Sequence, residues 1–508
     1  MSMLDSVTKD KRKLLAAVVL ILALAAFVRF YHIGWSFSSN GIDEGIMLQR
    51  SQLVHDGYML YTDIPCDQAP LAFLIGALLE GDPVALRYLE AGLSVLAIAF
   101  CMETARRIKG NSAMLLTGVL LAIDFAFLRE SRLFSLNGLS SFFLAYSMLF
   151  FVLYLQKHSR LALVAAGALV GLSTATKLFG GLGLLGMIVF LVLEMRGKRE
   201  ERLRRGADIL LLAVVAAVPM VRLMFYFGPS EMLDGMVFDQ GHRSFDLFMK
   251  LSLPIYFGLN LAYALPLVRA RMMWKAGPEV RFLIVVSAVI LAFMIFQPLV
   301  FFHHLAFMSP GFAILAGVFL AGTIESKKDS QNVEHIPISG KRGCALGQVF
   351  CAILLAGLLV SAGLAAYGLG AQRENWQVAY GEKIAEITDP DDWIISGDPL
   401  VAAFANRNAP PEMVNLAYRV YPDFTQGNIE SAIADYDPAV VVICYRLNEF
   451  SLQDYLGDNG YELVANEWFG DYNKAVLEFP QDPYGPVWVF VRADIVSAHG
   501  LPTQGWEL

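Results

Sequence analysis

Two adjacent carboxylates, Asp43 and Glu44, stand in "NGIDEGIMLQRSQLVHDGYMLYTDIPCDQAPL", residues 40–71, directly after the first strongly apolar run of the chain. A carboxylate that escapes ion pairing can take a proton from a hydroxyl, so the pair is a candidate general base with a companion. The same residues can equally open an interfacial helix. Acids are stabilised at helix N-termini, and Ile46, Leu48 and Leu53 form an apolar stripe that ends at Gly57. Polar groups recur beside later apolar runs: Gln68 before Pro70; Arg129, Glu130, Arg132 and Asn137 in "FLRESRLFSLNGLSSFF"; Lys177 in "GLSTATKLFGGLG"; His303 and His304 in "FFHHLAFMSPGFAILAG". An Arg/Glu pair can simply cap helix ends, and Lys177 can snorkel to an interface. As a set these residues oppose a carboxylate pair to several cations, the charge pattern that suits an anionic leaving group near a general base. His303 and His304 are neighbours rather than i, i+4, which does not suit chelation, so no metal site is expected.

The elements that must carry these residues follow from composition. The 508 residues are 56% hydrophobic and only 17% charged, with a mean hydropathy of +0.52, too apolar for a soluble enzyme of this size. The chain reads as a polytopic α-helical membrane protein. Windows of roughly 20 apolar residues mark about eleven spans: 13–33, 85–105, 111–128, 137–156, 160–176, 178–195, 207–227, 251–270, 281–300, 305–324 and 345–369. The first, behind "KDKRK", is too long for a signal peptide and lacks a cleavage site. With the N-terminus inside, the basic clusters fall on the cytoplasmic face: Lys9 to Lys13, Arg106 to Lys109, Lys157 and Arg160, "RGKREERLRR", Arg269 to Lys275, and Lys327 to Arg342. That is the bias of short cytoplasmic loops. Every candidate residue named above then faces the extracytoplasmic side, and the loop 34–84 is expected to lay two short interfacial helices, 44–56 and 70–80, over the membrane surface as a lid.

Past residue 371 the composition changes. Residues 372–508 hold 22 acids against 7 bases, a net of −15 where the whole chain is −8. "DWIISGD" and "AVVVICY" are β-branched runs bounded by turn residues, the pattern of buried parallel strands; "NIESAIADYDP" has helical spacing, and "PVWVFVRAD" adds a strand. A soluble α/β domain over 371–508 is expected to follow a membrane domain over 1–370, with the polar cytoplasmic linker 326–343 inside the latter. No Gly-rich phosphate loop opens any of its helices, no internal repeat is present, and the five cysteines match no metal or redox spacing.

The order of these motifs, the DE pair, the long loop ending in "QAPL", "SRLFSLNGLSSFF", "TKLFGGLG" and "HHLAFMSPGFAILAG", resembles the GT-C class of membrane glycosyltransferases, in particular the protein O-mannosyltransferase and aminoarabinose-transferase group. The resemblance runs over roughly 13–325. It implies an enzyme that moves a sugar from a polyprenyl-phosphate donor to an extracytoplasmic acceptor, protein, lipid or glycan, with inversion. Asp43 then matches the general base and Glu44 its partner, while Lys177, Arg132, Arg129 and Gln68 would meet the donor phosphate. Gln68 stands where the family often has a lysine, Asn137 where a second acid is usual, a place that Glu130 could fill, and His303 where an arginine often begins the segment. No cofactor is required; the carboxylates could hold a divalent metal, but nothing calls for one. The partners implied are the lipid-linked donor, the acceptor and the bilayer, with no nucleic acid. A transporter or flippase of a lipid-linked or small anionic substrate, or a non-catalytic relative, are the alternatives; a transporter would place its charges at mid-depth between internal repeats.

Overall fold

The computed structural model describes residues 7–35, 41–196, 198–238, 249–332, 341–370, 376–416, 424–468, 486–503, 505, 506 and 508. The middle of the 228–250 loop, part of the linker and the expected domain junction at 371–375 lie outside them. The chain is mostly helical. Helix α1 is Lys11–Phe30, its N-terminus capped by the Asp10 carboxylate on the amides of Arg12 and Lys13. Two short helices follow, α2 (Gly41–His55) and α3 (Leu71–Ala77), where the sequence leads one to expect the pair 44–56 and 70–80. Then come α4 (Pro83–Ile123), α5 (Phe125–Glu130), α6 (Leu136–Lys157), α7 (Arg160–Thr176), α8 (Gly180–Leu193) and α9 (Arg199–Phe227). The bundle closes with α10 (Ser252–Leu259), α11 (Leu261–Val268), α12 (Pro278–Phe296), α13 (Ser309–Asn332) and α14 (Lys341–Gly370).

Five of these helices, α1, α4, α6, α9 and α12, are long and apolar enough to cross a membrane, and four shorter apolar helical stretches accompany them. Helix α4 is not straight, however. Lys109 and Gly110 leave helical geometry, with Gly110 at φ 75°. A Cβ placed on Gly118 would lie 2.7 Å from the Met102 sulfur, whereas sixteen residues of continuous helix would separate the two by roughly 24 Å. The chain therefore turns back at 109–110, and α4 is two antiparallel arms, in line with the expected spans 85–105 and 111–128. The expected span 251–270 is instead two eight-residue helices broken at Asn260.

Apolar helices gain little from burying one another in lipid, so close backbone approach through small residues must hold them. Gly171 of α7 lies against the Ala216 carbonyl of α9, and Gly317 of α13 against Thr117 of α4. The two ends of the bundle differ. One joins basic loops: Gln156 donates to the Arg107 carbonyl, Arg205 to the Tyr154 hydroxyl, Asn111 to the Thr8 carbonyl, and Arg281 pairs with Glu194. The other gathers the segments 31–35, 41–82, 124–136, 177–180 and 297–308.

On that second end rests an α/β unit. It comprises α15 (Trp376–Ile387), β1 (Ile394–Ser396), α16 (Pro399–Ala405), α17 (Gln426–Tyr436), β2 (Val440–Ile443), β3 (Tyr461–Trp468) and β4 (Pro486–Arg492). The sheet order is β1-β2-β4-β3, with β1 and β2 parallel and the other pairs antiparallel. All residues of β1 and β2 are buried, which is why both read as unbroken apolar runs rather than alternating ones.

Candidate active site

Successive helical residues point about 100° apart, so the two carboxylates on α2 meet different surroundings. Asp43 is exposed. Glu44 is 2% exposed and accepts from Arg87 Nε at 2.7 Å and Nη2 at 2.6 Å, and from the Phe134 amide at 3.0 Å. The Arg87 guanidinium also donates to the carbonyls of Ile33 and Gly34 and lies 5.3 Å over the Phe404 ring. Glu44 and Arg87 together thus pin α2, α4, the 131–135 loop and the α/β unit to one another, and both oxygens of the Glu44 carboxylate accept hydrogen bonds from this scaffold.

Arg132 has a similar structural setting. It is 1% exposed and donates to the carbonyls of Val28, Arg29, Tyr31 and His32, satisfying the C-terminus of α1. Gln68 donates to Asp67 at 3.1 Å, and Asp67 pairs with Arg50 at 3.2 Å; the Tyr61 hydroxyl donates to the Gln68 carbonyl.

The remaining candidates form one connected group. Arg129 Nη1 donates to Glu130 Oε1 at 2.7 Å; the Ser135 hydroxyl and Asn137 Nδ2 donate to its other oxygen. Lys177 Nζ donates to Asn137 Oδ1 at 2.6 Å and sits 4.7 Å from the Phe179 ring centroid. Phe179 meets His304 edge to face at 5.1 Å, and His304 meets His303 at 4.5 Å. Lys177 occupies the break between α7 and α8, in extended backbone where the last turn of α7 ends. Ser135, which caps α6 on the amides of Asn137 and Gly138, links this group to the α2 carboxylates, because it follows Phe134, whose amide Glu44 holds.

Glu90 belongs to the same cluster, though the sequence motifs do not single it out. It is fully buried on the first arm of α4, and its Oε1 accepts from the Ser135 amide at 3.0 Å. Its signal is an acid one helical turn beyond Arg87 inside an apolar span, a placement expensive enough to flag. Asp124 and Arg29, also fully buried, were equally unmarked; Arg29 donates to the Leu121 and Ala122 carbonyls and Asp124 caps α5.

The α/β unit closes over α2. Gln49 donates to the Arg407 carbonyl at 2.8 Å and accepts from the Ala409 amide at 2.7 Å, and Gln52 donates to the Ala403 carbonyl. Gly45 has no room for a side chain, since a Cβ there would sit 2.3 Å from the Leu400 amide nitrogen. Tyr445 is half-buried at this contact. Burial raises its hydroxyl pKa; Arg446 opposes the rise, and the carboxylates of Asp43 and Asp398 add to it.

Residues 69–225 match the family model described as dolichyl-phosphate-mannose-protein mannosyltransferase. No curated protein sequence matches the chain. Among solved structures, ArnT from Cupriavidus metallidurans in the apo state is similar with a TM-score of 0.62 at 16% identity, covering 95% of this chain and 99% of that one. The same protein bound to undecaprenyl phosphate gives 0.61. The oligosaccharyltransferase of Archaeoglobus fulgidus in the apo form gives 0.55 at 13% identity, over 85% of this chain and 70% of that one. These likenesses extend across the helical bundle and the α/β unit alike. The chain has the fold of the GT-C membrane glycosyltransferases and, over residues 69–225, the sequence pattern of their protein mannosyltransferase family.

Proposed function

We propose that this protein transfers a sugar from a polyprenyl-phosphate donor to an acceptor hydroxyl on the extracytoplasmic side of the plasma membrane. The observation that carries the reading is the run of contacts from the DE pair through Phe134, Ser135, Glu130 and Asn137 to Lys177, which sets an exposed carboxylate and a cation at one end of a GT-C bundle. Asp43 takes the acceptor proton. The acceptor oxygen then attacks the anomeric carbon as the bond from that carbon to the phosphate oxygen breaks, so configuration inverts and polyprenyl phosphate leaves as an anion. Lys177, oriented by Asn137, meets the phosphate charge, with Arg129 behind Glu130 in support. This reading requires no resident cofactor or metal. Glu44 and Arg132 act as positioning residues, because their hydrogen bonds are committed to the scaffold. Domains over 1–370 and 371–508, an N-terminus in the cytoplasm and a crossing count near eleven belong to the same reading.

Asp43→Asn is expected to abolish transfer, scored by comparing intact envelope glycans of a deletion strain carrying wild type or variant, while membrane insertion and melting stay as in wild type. Wild-type glycans in that strain would refute the role of Asp43.

A further inference from the structure

At the basic end of the bundle, α9 has an inward and an outward side of unlike character. Inward, Asp208 is 5% exposed and accepts from the Tyr154 hydroxyl of α6 at 2.5 Å, and Arg205 donates to that hydroxyl at 2.9 Å. These contacts fix the rotation of the helix. At about 100° per residue, Asp208 stands opposite Arg199, and Arg199, Leu203, Gly206 and Leu210 follow one another at helical spacing along the outward side. That side borders an open groove of about 500 Å³, which Arg202 and Met195, just past the end of α8, also line. The space over Gly206 is open, since a Cβ there would meet nothing within 4 Å. Gly171 and Gly317 are pressed against neighbouring elements, but no neighbour requires a glycine at 206, where it weakens the helix. Leu203 and Leu210 are 63% and 65% exposed, and the same side continues with exposed Val214 and Val221. Among the described residues neither Arg199 nor Arg202 has an ion-pair or hydrogen-bond partner for its guanidinium. Residues 196–205 hold six bases against two acids, and those acids, Glu200 and Glu201, leave the helix about 100° and 200° round from Arg199.

We infer that this groove is a binding site for an anionic phospholipid of the cytoplasmic leaflet: Arg199 and Arg202 hold its phosphate, and an acyl chain lies over Gly206 and along Leu210. The order of surfaces down the outward side, two cations and then exposed aliphatic carbon, matches a charged head group followed by hydrocarbon. A planar guanidinium binds a phosphate through two parallel hydrogen bonds, and basic pockets beside membrane helices select anionic lipids. A soluble phosphate would leave the aliphatic stretch uncovered. Arginines that only snorkel to the interface would not need an open floor at Gly206. The inference rests on the membrane orientation proposed above and is independent of the transfer chemistry.

The test uses the full-length protein in nanodiscs of equimolar phosphatidylglycerol and phosphatidylcholine, with the retained lipids counted by native mass spectrometry. Wild type is expected to retain phosphatidylglycerol at least tenfold over phosphatidylcholine. Arg199→Gln and Arg202→Gln should each reduce that preference severalfold, and the double variant should erase it. Arg204→Gln removes the same charge about 140° round the helix from Arg199 and should leave the preference intact. Gly206→Leu favours the helix and fills the groove, so it is expected to melt no lower than wild type and to lose the retained phosphatidylglycerol about tenfold. No preference in wild type overturns the proposal. So does an equal loss in Arg204→Gln, which would assign the preference to bulk charge, or full retention in Gly206→Leu. Dimers in wild type that disappear in Arg202→Gln would give this face to a second copy of the chain and overturn it as well. Asp43→Asn is expected to keep the lipid preference, so a failure of the transfer reading is distinguishable from a failure of this one.

Discussion

Asp43 and Glu44 are neighbours in the chain and opposites in the fold. Glu44 lies in a two-point ion pair with Arg87, both side chains 1% exposed, whereas Asp43 is exposed. Removing one partner of such a buried pair leaves an uncompensated charge and costs about 3–5 kcal/mol. Glu44→Gln is therefore expected to lower the melting temperature and the folded yield strongly, read by thermal unfolding in detergent, while Asp43→Asn melts like wild type. Equal melting of the two variants would show that the ion pair carries no stability. The sequence marks the pair but cannot separate its members, because the residue that claims Glu44 lies 43 positions away on another helix. The same limit applies to Arg132, which donates to carbonyls at the end of α1 that lie 104 and 101 positions away in the chain.

At the scale of elements, the site depends on how the short α5 and the 131–135 loop are pressed onto the start of α6. Gly138 is where they touch: a Cβ there would lie 2.8 Å from the Glu130 carbonyl oxygen and 2.9 Å from Glu90 Oε2. Alanine at this helical position improves intrinsic propensity by about 1 kcal/mol, yet it must push apart the groups that orient Asn137 and Lys177. Gly138→Ala is expected to leave the protein folded and weaken undecaprenyl phosphate retention roughly tenfold, ~1.4 kcal/mol, measured by native mass spectrometry. Unchanged retention would detach this cluster from donor binding. Several elements are legible locally. The apolar run foretells α1, and the β-branched runs foretell β1, β2 and β4. Strand β3 escapes notice because a bulge between Leu463 and Ala465 shifts its alternation.

Across the whole molecule, the α/β unit is tied to α2 through α16, and Asp398 stands at that seam. It is fully buried, caps α16 through the Leu400 amide and accepts from Gln377. Burial pushes its carboxyl up from 3.8 to about 6, and the hydrogen bonds from Gln377 and Leu400 only partly oppose this. The folded protein thus holds this proton more tightly than the unfolded chain does, so stability falls as pH rises from 3.8 to about 6 and is level above. Asp398→Asn keeps a cap, and its amide can donate to Gln377 Oε1, which is buried without a hydrogen-bond partner, once the Gln377 amide flips. The variant is expected to melt above wild type at pH 7, with the gap closing toward pH 4; a gap independent of pH would assign the effect to packing alone.

By itself, the sequence determined which segments are apolar enough for a membrane, where the chemistry-bearing side chains fall between them, and that an acidic segment of strands and helices follows. Those properties depend on transfer energy and on periodicities of 3.6 and 2, which are readable within one or two turns of chain. The tertiary structure alone decided that Glu44 is held by Arg87, that Glu90 joins the cluster at Ser135, and that the α/β unit docks on α2 through Gln49 and Gln52. Each of these depends on contacts between residues tens to hundreds of positions apart, which chain reversal and docking create and no local pattern encodes.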